Sequence, residues 1–325
     1  MKLATYRKGS GAPRIGIVHS GDKRLFDLAS AAERTGGDTG IFASMLALID
    51  GGDKALEAAA RLFEKEGGDQ ALSVPIGDAE LMAPLPEPRQ MRDGMSYETH
   101  IRQSGRGMRH LMSGGDMSKV GEQELPPLGD VYRRMPSYYI TNRMIVSGPG
   151  ATVTWPRYSK VMDYELEYGV IIGRTGANVS EAKARDHIFG YTIFNDFSAR
   201  DQQGMEMPGW LGPAKGKSFD GGNVLGPWIV TKDEILDPYS LKAEVRVNGE
   251  TRCSSTSEGM LFSFEQILAH MSRDETVFAG EFIGSGTIGN GCGLETGRFL
   301  EDGDVVELEF EKIGVLRNKV VRQAA

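Results

Sequence analysis

Apolar and polar residues alternate over several short stretches of this 325-residue chain, separated by glycine, proline and asparagine. Alternation with period two, or a short apolar run bounded by turn residues, predicts strands over 15–19, 144–146, 164–172, 191–195, 228–230, 242–247, 282–288 and 305–310. In the last of these Val306, Leu308 and Phe310 alternate with Glu307, Glu309 and Glu311, the pattern of an antiparallel strand with one wet face. Asn248-Gly249 between two such runs predicts a type I′ hairpin. Helical spacing covers 41–49 and 53–66, and a turn falls at Gly21-Asp22. Ser180 and Ser263 are candidate caps for helices over 181–189 and onward from 264 through Ser272. The segment Pro84-Leu85-Pro86-Glu87-Pro88 continues neither a helix nor a central strand. It divides the chain into a small α/β domain over 1–85 and a β-rich domain over 86–325. The expected class is therefore β-rich α+β, a mixed roll of strands with a few covering helices.

Composition narrows the picture. Glycine occurs 43 times, above the usual share of roughly 7%, as a fold with many turns requires. The only cysteines, Cys253 and Cys292, form neither a disulfide framework nor a zinc-ligand spacing, which points to a reducing cytoplasm. A formal charge of −8 excludes general nucleic-acid binding, which needs a basic footprint. The first residues lack an apolar signal core, and no run approaches the length of a membrane span.

Chemistry concentrates in two segments. In Asp163-Tyr164-Glu165-Leu166-Glu167 an extended chain points Glu165 and Glu167 the same way. Like charges that close need a cation between them, and an all-oxygen set suits a hard divalent ion. Asp196, in Asn195-Asp196-Phe197-Ser198-Ala199-Arg200-Asp201-Gln202-Gln203, supplies a third oxygen. Glu-x-Glu on a strand is equally compatible with a solvated face, as over 304–311. Gly212-Pro213-Ala214-Lys215-Gly216-Lys217-Ser218 lacks the first glycine of a phosphate loop, since position 211 is Leu211. His19, His110, His187 and His270 are read as packing or surface residues.

The ordered motifs resemble the fumarylacetoacetate hydrolase family. They are the two acidic segments, Gly190-Tyr191-Thr192-Ile193-Phe194, Gly216-Lys217-Ser218-Phe219-Asp220, Gly284-Ser285-Gly286-Thr287-Ile288-Gly289, Gly303-Asp304 and Gly314-Val315-Leu316-Arg317-Asn318. The resemblance implies a mixed β-sandwich roll, usually dimeric, with Mg²⁺ (or Ca²⁺ or Mn²⁺) at one end. It places Asp93, Glu165, Glu167 and Asp196 on the metal and makes His100 the catalytic base. Glu295 is then its orienting acid, with Glu98 a less well placed alternative. Lys217 becomes an oxyanion or carboxylate contact. Arg200, Gln203, Thr287 and one of Tyr138 and Tyr139, with Tyr139 preferred, become substrate contacts.

The expected reaction is hydrolysis of a C–C bond in a 1,3-diketo acid, by water that His100 activates and an enolate that leaves on the metal. The alternative is a sugar-acid dehydratase, or an oxaloacetate decarboxylase or tautomerase, on the same enolate site. The partner is a small keto acid, with no nucleic acid and no membrane. Gly204-Met205-Glu206-Met207-Pro208-Gly209-Trp210 departs from authentic fumarylacetoacetases and hints at an apolar lid.

Overall fold

The computed structural model describes residues 1–323. Among these, twelve strands join in one mixed sheet. Its path runs Ser73–Pro75, Arg24–Asp27, Arg14–His19, Lys2–Arg7, Asn223–Thr231, Ile188–Asp196, Glu167–Ile172, Phe282–Gly284, Met91–Gly94 and Tyr138–Ile140, with Glu80–Leu81 and Val146–Ser147 attached beside it. Most neighbours are antiparallel, but Phe282–Gly284 lies parallel to Met91–Gly94. A second sheet takes the order Glu250–Thr256, Lys242–Val247, Val305–Phe310, Gly314–Arg322 and Thr152–Trp155.

Burial explains this layering. Tyr168, Val170 and Ile172 from one face of the large sheet pack with Val245, Leu308 and Phe310 of the second sheet. From the opposite face, Ile171, Phe194 and Phe282 join Leu28, Ala31, Leu48, Ile49, Ala55 and Ala59 of the helices Leu28–Arg34, Met45–Asp50 and Gly52–Glu66. The central strands are thus covered on both sides, and all six residues of Glu167–Ile172 are buried. The result is the expected β-rich α+β sandwich.

The large sheet runs through the boundary expected at residue 85, because Lys2–Arg7 pairs with Asn223–Thr231. Other elements differ in extent. The strand expected over 282–288 stops at Gly284, since the chain turns at Gly286, whose φ is +78°. The helix expected over 181–189 ends at Ala184, and Ile188 and Phe189 join the sheet instead. Ser180 makes no side-chain cap there, whereas Ser263 forms a full capping box with Gln266. Residues 143–145 form a 3₁₀ turn started by the Asn142 side chain. Asn248 and Gly249 both adopt positive φ, as a type I′ turn requires.

Candidate active site

Strands of the large sheet deliver acids to one place. Glu167 opens Glu167–Ile172, Asp196 closes Ile188–Asp196, and Asp93 sits in Met91–Gly94. Glu165 lies just before its strand in less regular chain. Its N–H donates to Asn195 Oδ1 at 3.0 Å, and it bridges to Cys292. All four carboxylates are buried, and one oxygen from each lies within 4.8 Å of the others.

Four charges this close need compensation. Lys217 Nζ donates to Glu165 Oε2 at 2.5 Å and to Asp196 Oδ2 at 2.7 Å. Arg200 Nε donates to Asp163 Oδ2 at 2.8 Å, and its Nη2 stands 2.8 Å from Glu165 Oε1. Burial pushes the Glu165 carboxyl up, but Lys217 and Arg200 outweigh it and hold the pKa down at about 2. The other side is less well served. Burial and the neighbouring Asp196 push Asp93 up to about 8, and burial with Asp93 alongside holds Glu167 well above its ordinary value.

Asp93 Oδ1, Glu167 Oε2 and Asp196 Oδ1 are buried without any hydrogen-bond partner. Hard, orphaned oxygens converging on one point fit a divalent ion. Gly284 leaves the space for them: a Cβ there would lie 2.3 Å from Asp93 Oδ1 and 3.3 Å from Glu167 Oε2.

Asp93, Glu165 and Glu167 line the floor of a cavity of about 470 Å³. His100, in the first turn of the helix Glu98–Met112, lines its wall. His100 Nδ1 stands 3.5 Å from Glu295 Oε1. Glu295 is anchored in turn, because the backbone N–H groups of Asn290 and Cys292 donate to its oxygens. Glu98 instead pairs with Arg102 and Arg133, away from His100. The other histidines lie outside the cavity lining. His110 and His187 bond backbone carbonyls, His19 bonds Ser73, and His270 packs on Tyr138.

Arg200, Gln203, Tyr139, Thr287 and Lys217 all line the same cavity. Most are engaged with the acids in this state. The Tyr139 hydroxyl donates to Asp196 at 2.5 Å, Thr287 donates to Glu167 at 3.1 Å, and Arg200 Nη1 donates to Gln203 at 2.9 Å. The acid partners of Arg200 are Asp163 and Glu165. Of the apolar segment after Gln203, Met207 reaches the cavity, whereas Trp210 and Leu211 are almost fully exposed.

Two participants escaped the sequence reading. Asp163 is buried and accepts from Arg200 and from the N–H groups of Gly293 and Leu294, so it ties the floor to the segment bearing Glu295. It stands two residues before Glu165, and the same period-two pattern would have found it. Arg109 is exposed on the cavity wall and makes no ion pair among the described residues. It follows Ile101 and Gly105, which line the same wall, at steps of four along the helix.

A family model described as the C-terminal region of fumarylacetoacetate (FAA) hydrolase matches residues 90–321. The chain belongs to the fumarylacetoacetate hydrolase family. It is an enzyme of that superfamily. An oxaloacetate tautomerase of Bacillus subtilis is 32% identical over 249 residues, 75% of this chain and 74% of that protein. Among solved structures, a fumarylacetoacetate hydrolase from Exiguobacterium antarcticum superposes with a TM-score of 0.73 at 28% identity, covering 99% of this chain and 100% of that one. A maleylpyruvate hydrolase from Sphingobium sp. SYK-6, solved with manganese(II) and pyruvate, shares the fold with a TM-score of 0.72 at 22% identity, with both chains fully covered. Among the described residues no helix is long and apolar enough to cross a membrane.

Proposed function

We propose that this protein interconverts the keto and enol forms of a small 2-oxo dicarboxylate of the oxaloacetate class. The observation that carries the reading is the convergence of Asp93, Glu165, Glu167 and Asp196 on one another at the edge of a cavity whose wall carries His100. Enolate stabilisation and one proton carrier are what tautomerisation requires. The likeness to the Bacillus subtilis tautomerase supports this reaction among those that share an enolate.

A divalent ion held by the four carboxylates, with Mg²⁺ the expected one, would act as a Lewis acid on the 2-oxo group and favour its enolate form. Lys217, fixed by Glu165 and Asp196, presents a buried positive charge where negative charge develops on the substrate. His100 moves the proton at the carbon next to the 2-oxo group, with Glu295 facing Nδ1 and stabilising the imidazolium. Arg109 meets the far carboxylate at the cavity wall and fixes which carbon faces His100. Gln203 lies on the same wall as a polar contact.

A second reading rests on the His100–Glu295 pair, an arrangement equally suited to activating water. In that case a 1,3-diketo acid is hydrolysed at a C–C bond, as the name of the Exiguobacterium antarcticum relative describes for that protein. The test is to incubate the Mg²⁺-loaded protein in D₂O with enol-form oxaloacetate, and separately with 2,4-diketo acids, and to analyse the products by mass. Faster loss of enol absorbance than in protein-free buffer, with deuterium at C3 and an intact skeleton, is the expected result. Cleavage of the diketo acids into two fragments, with no effect on the enol, would replace tautomerisation by hydrolysis.

A further inference from the structure

Behind the cavity wall, a second group of ligating atoms converges. A ring nitrogen of His100, the Cys292 sulfur and a Glu295 carboxylate oxygen lie within 4.8 Å of one another, and all three residues are buried. His100 Nδ1 has no hydrogen-bond partner and stands 3.5 Å from Glu295 Oε1. Two ligands of one tetrahedral ion, with bonds near 2.0–2.1 Å, lie about 3.4 Å apart. The histidine and glutamate are already at that spacing, and the sulfur lies within 4.8 Å of both.

This nitrogen, sulfur and oxygen set differs in kind from the all-oxygen floor of the cavity. Hard ions select the latter, and borderline ions select thiolate with imidazole. We propose that His100, Cys292 and Glu295 form a second metal site for Zn²⁺ or a similar borderline ion, whose occupation withdraws His100 from the cavity chemistry.

On coordination the thiol releases its proton to solvent. One thiolate and one carboxylate then balance a divalent charge with the imidazole neutral, so that no net charge is buried. Outer contacts suit the role. Asn290 and Cys292 N–H groups hold the Glu295 carboxylate, and Asp163 fixes Gly293 and Leu294 between the two ligands. Of the three, only His100 lines the cavity, so it alone belongs to both groups. The site stands independently of the reaction; only the inhibitory consequence rests on the role proposed for His100.

The test titrates the protein, in excess Mg²⁺, with Co²⁺ as the spectroscopic stand-in for Zn²⁺, and follows turnover in parallel. One equivalent should give a thiolate-to-cobalt charge-transfer band in the near ultraviolet, and Zn²⁺ should erase it. Cys253→Ser should keep the band and Cys292→Ser should lose it. His100→Ala should bind Co²⁺ at least tenfold more weakly, an arm that holds even if Cys292→Ser fails to fold. No band in the wild type, or a band that depends on Cys253, overturns the site. A full band with unchanged turnover overturns the inhibition.

Discussion

Gly284 is as much a part of the carboxylate centre as the acids around it. Its missing Cβ is what lets Asp93 Oδ1 and Glu167 Oε2 share one space. Gly284→Ala should therefore weaken Mg²⁺ binding tenfold or more, about 1.4 kcal/mol, within the usual cost of overpacking. Titration calorimetry on the folded variant reads this directly, and unchanged affinity would show that the acids do not act together. His100→Ala should leave Mg²⁺ affinity intact while lowering turnover by about 10²–10⁴-fold, the usual worth of a positioned acid–base group. Normal kcat in that variant removes His100 from the mechanism. Sequence spacing made Glu165 and Glu167 legible as a pair, because strand alternation is local, and left Asp196 as a candidate third oxygen from another segment. The family resemblance implies substrate contacts for Arg200 and Thr287; both line the cavity, and both pair with acids there. Their partners lie 37 and 120 residues away, beyond the reach of any local pattern.

Elements succeeded or failed according to where their hydrogen bonds go. Ser263 reads as a cap and is one, because the chain before it is extended and its side chain meets the Gln266 N–H. Ser180 has the same local signal, but the helix after it is one turn long and yields to the sheet. Asp27 is the less obvious cap. It accepts from Ser30 N–H at 2.8 Å, from the Tyr6 hydroxyl at 2.5 Å and from Arg14. Burial raises its pKa, but these donors, Arg14 foremost, outweigh it and leave the carboxyl below its ordinary value. A depressed folded value means that this stabilisation is complete above the unfolded pKa of about 4. It disappears as pH falls through the folded value. Asp27→Asn should cost about 2–3 kcal/mol at neutral pH, and the gap from wild type should close in acid. Denaturant melts at pH 7 and pH 3 measure both. A gap independent of pH would locate the cost in packing.

At the scale of the molecule, the acid floor links metal, protons and stability. Burial and neighbouring acids raise Asp93 to about 8 and hold Glu167 well above its ordinary value, so protonation at Asp93 competes with a cation near neutral pH. A divalent ion must displace that proton, so apparent Mg²⁺ affinity should rise with pH up to about 8. Calorimetry in buffers of different ionisation enthalpy should detect the released proton; no buffer dependence would argue that the acids are already ionised. The same ion should stabilise the fold by about 2.7 kcal/mol at a hundredfold excess over Kd, with chelator lowering Tm accordingly. The centre lies among strands that cross the chain from residue 91 to residue 284. Loosening it therefore reaches both packed layers.

The sequence alone determined the β-rich class, the hairpin at Asn248-Gly249, the family motifs and the identity of the acids. Each of these follows from spacing within a few residues or from short ordered motifs. The tertiary structure decided the rest. It set the Lys2–Arg7 strand beside Asn223–Thr231, and it gave Lys217 and Arg200 to the acids. It brought Cys292 beside His100. These depend on strand order and close approach between distant segments, and so on the burial of surfaces that no single stretch of sequence contains.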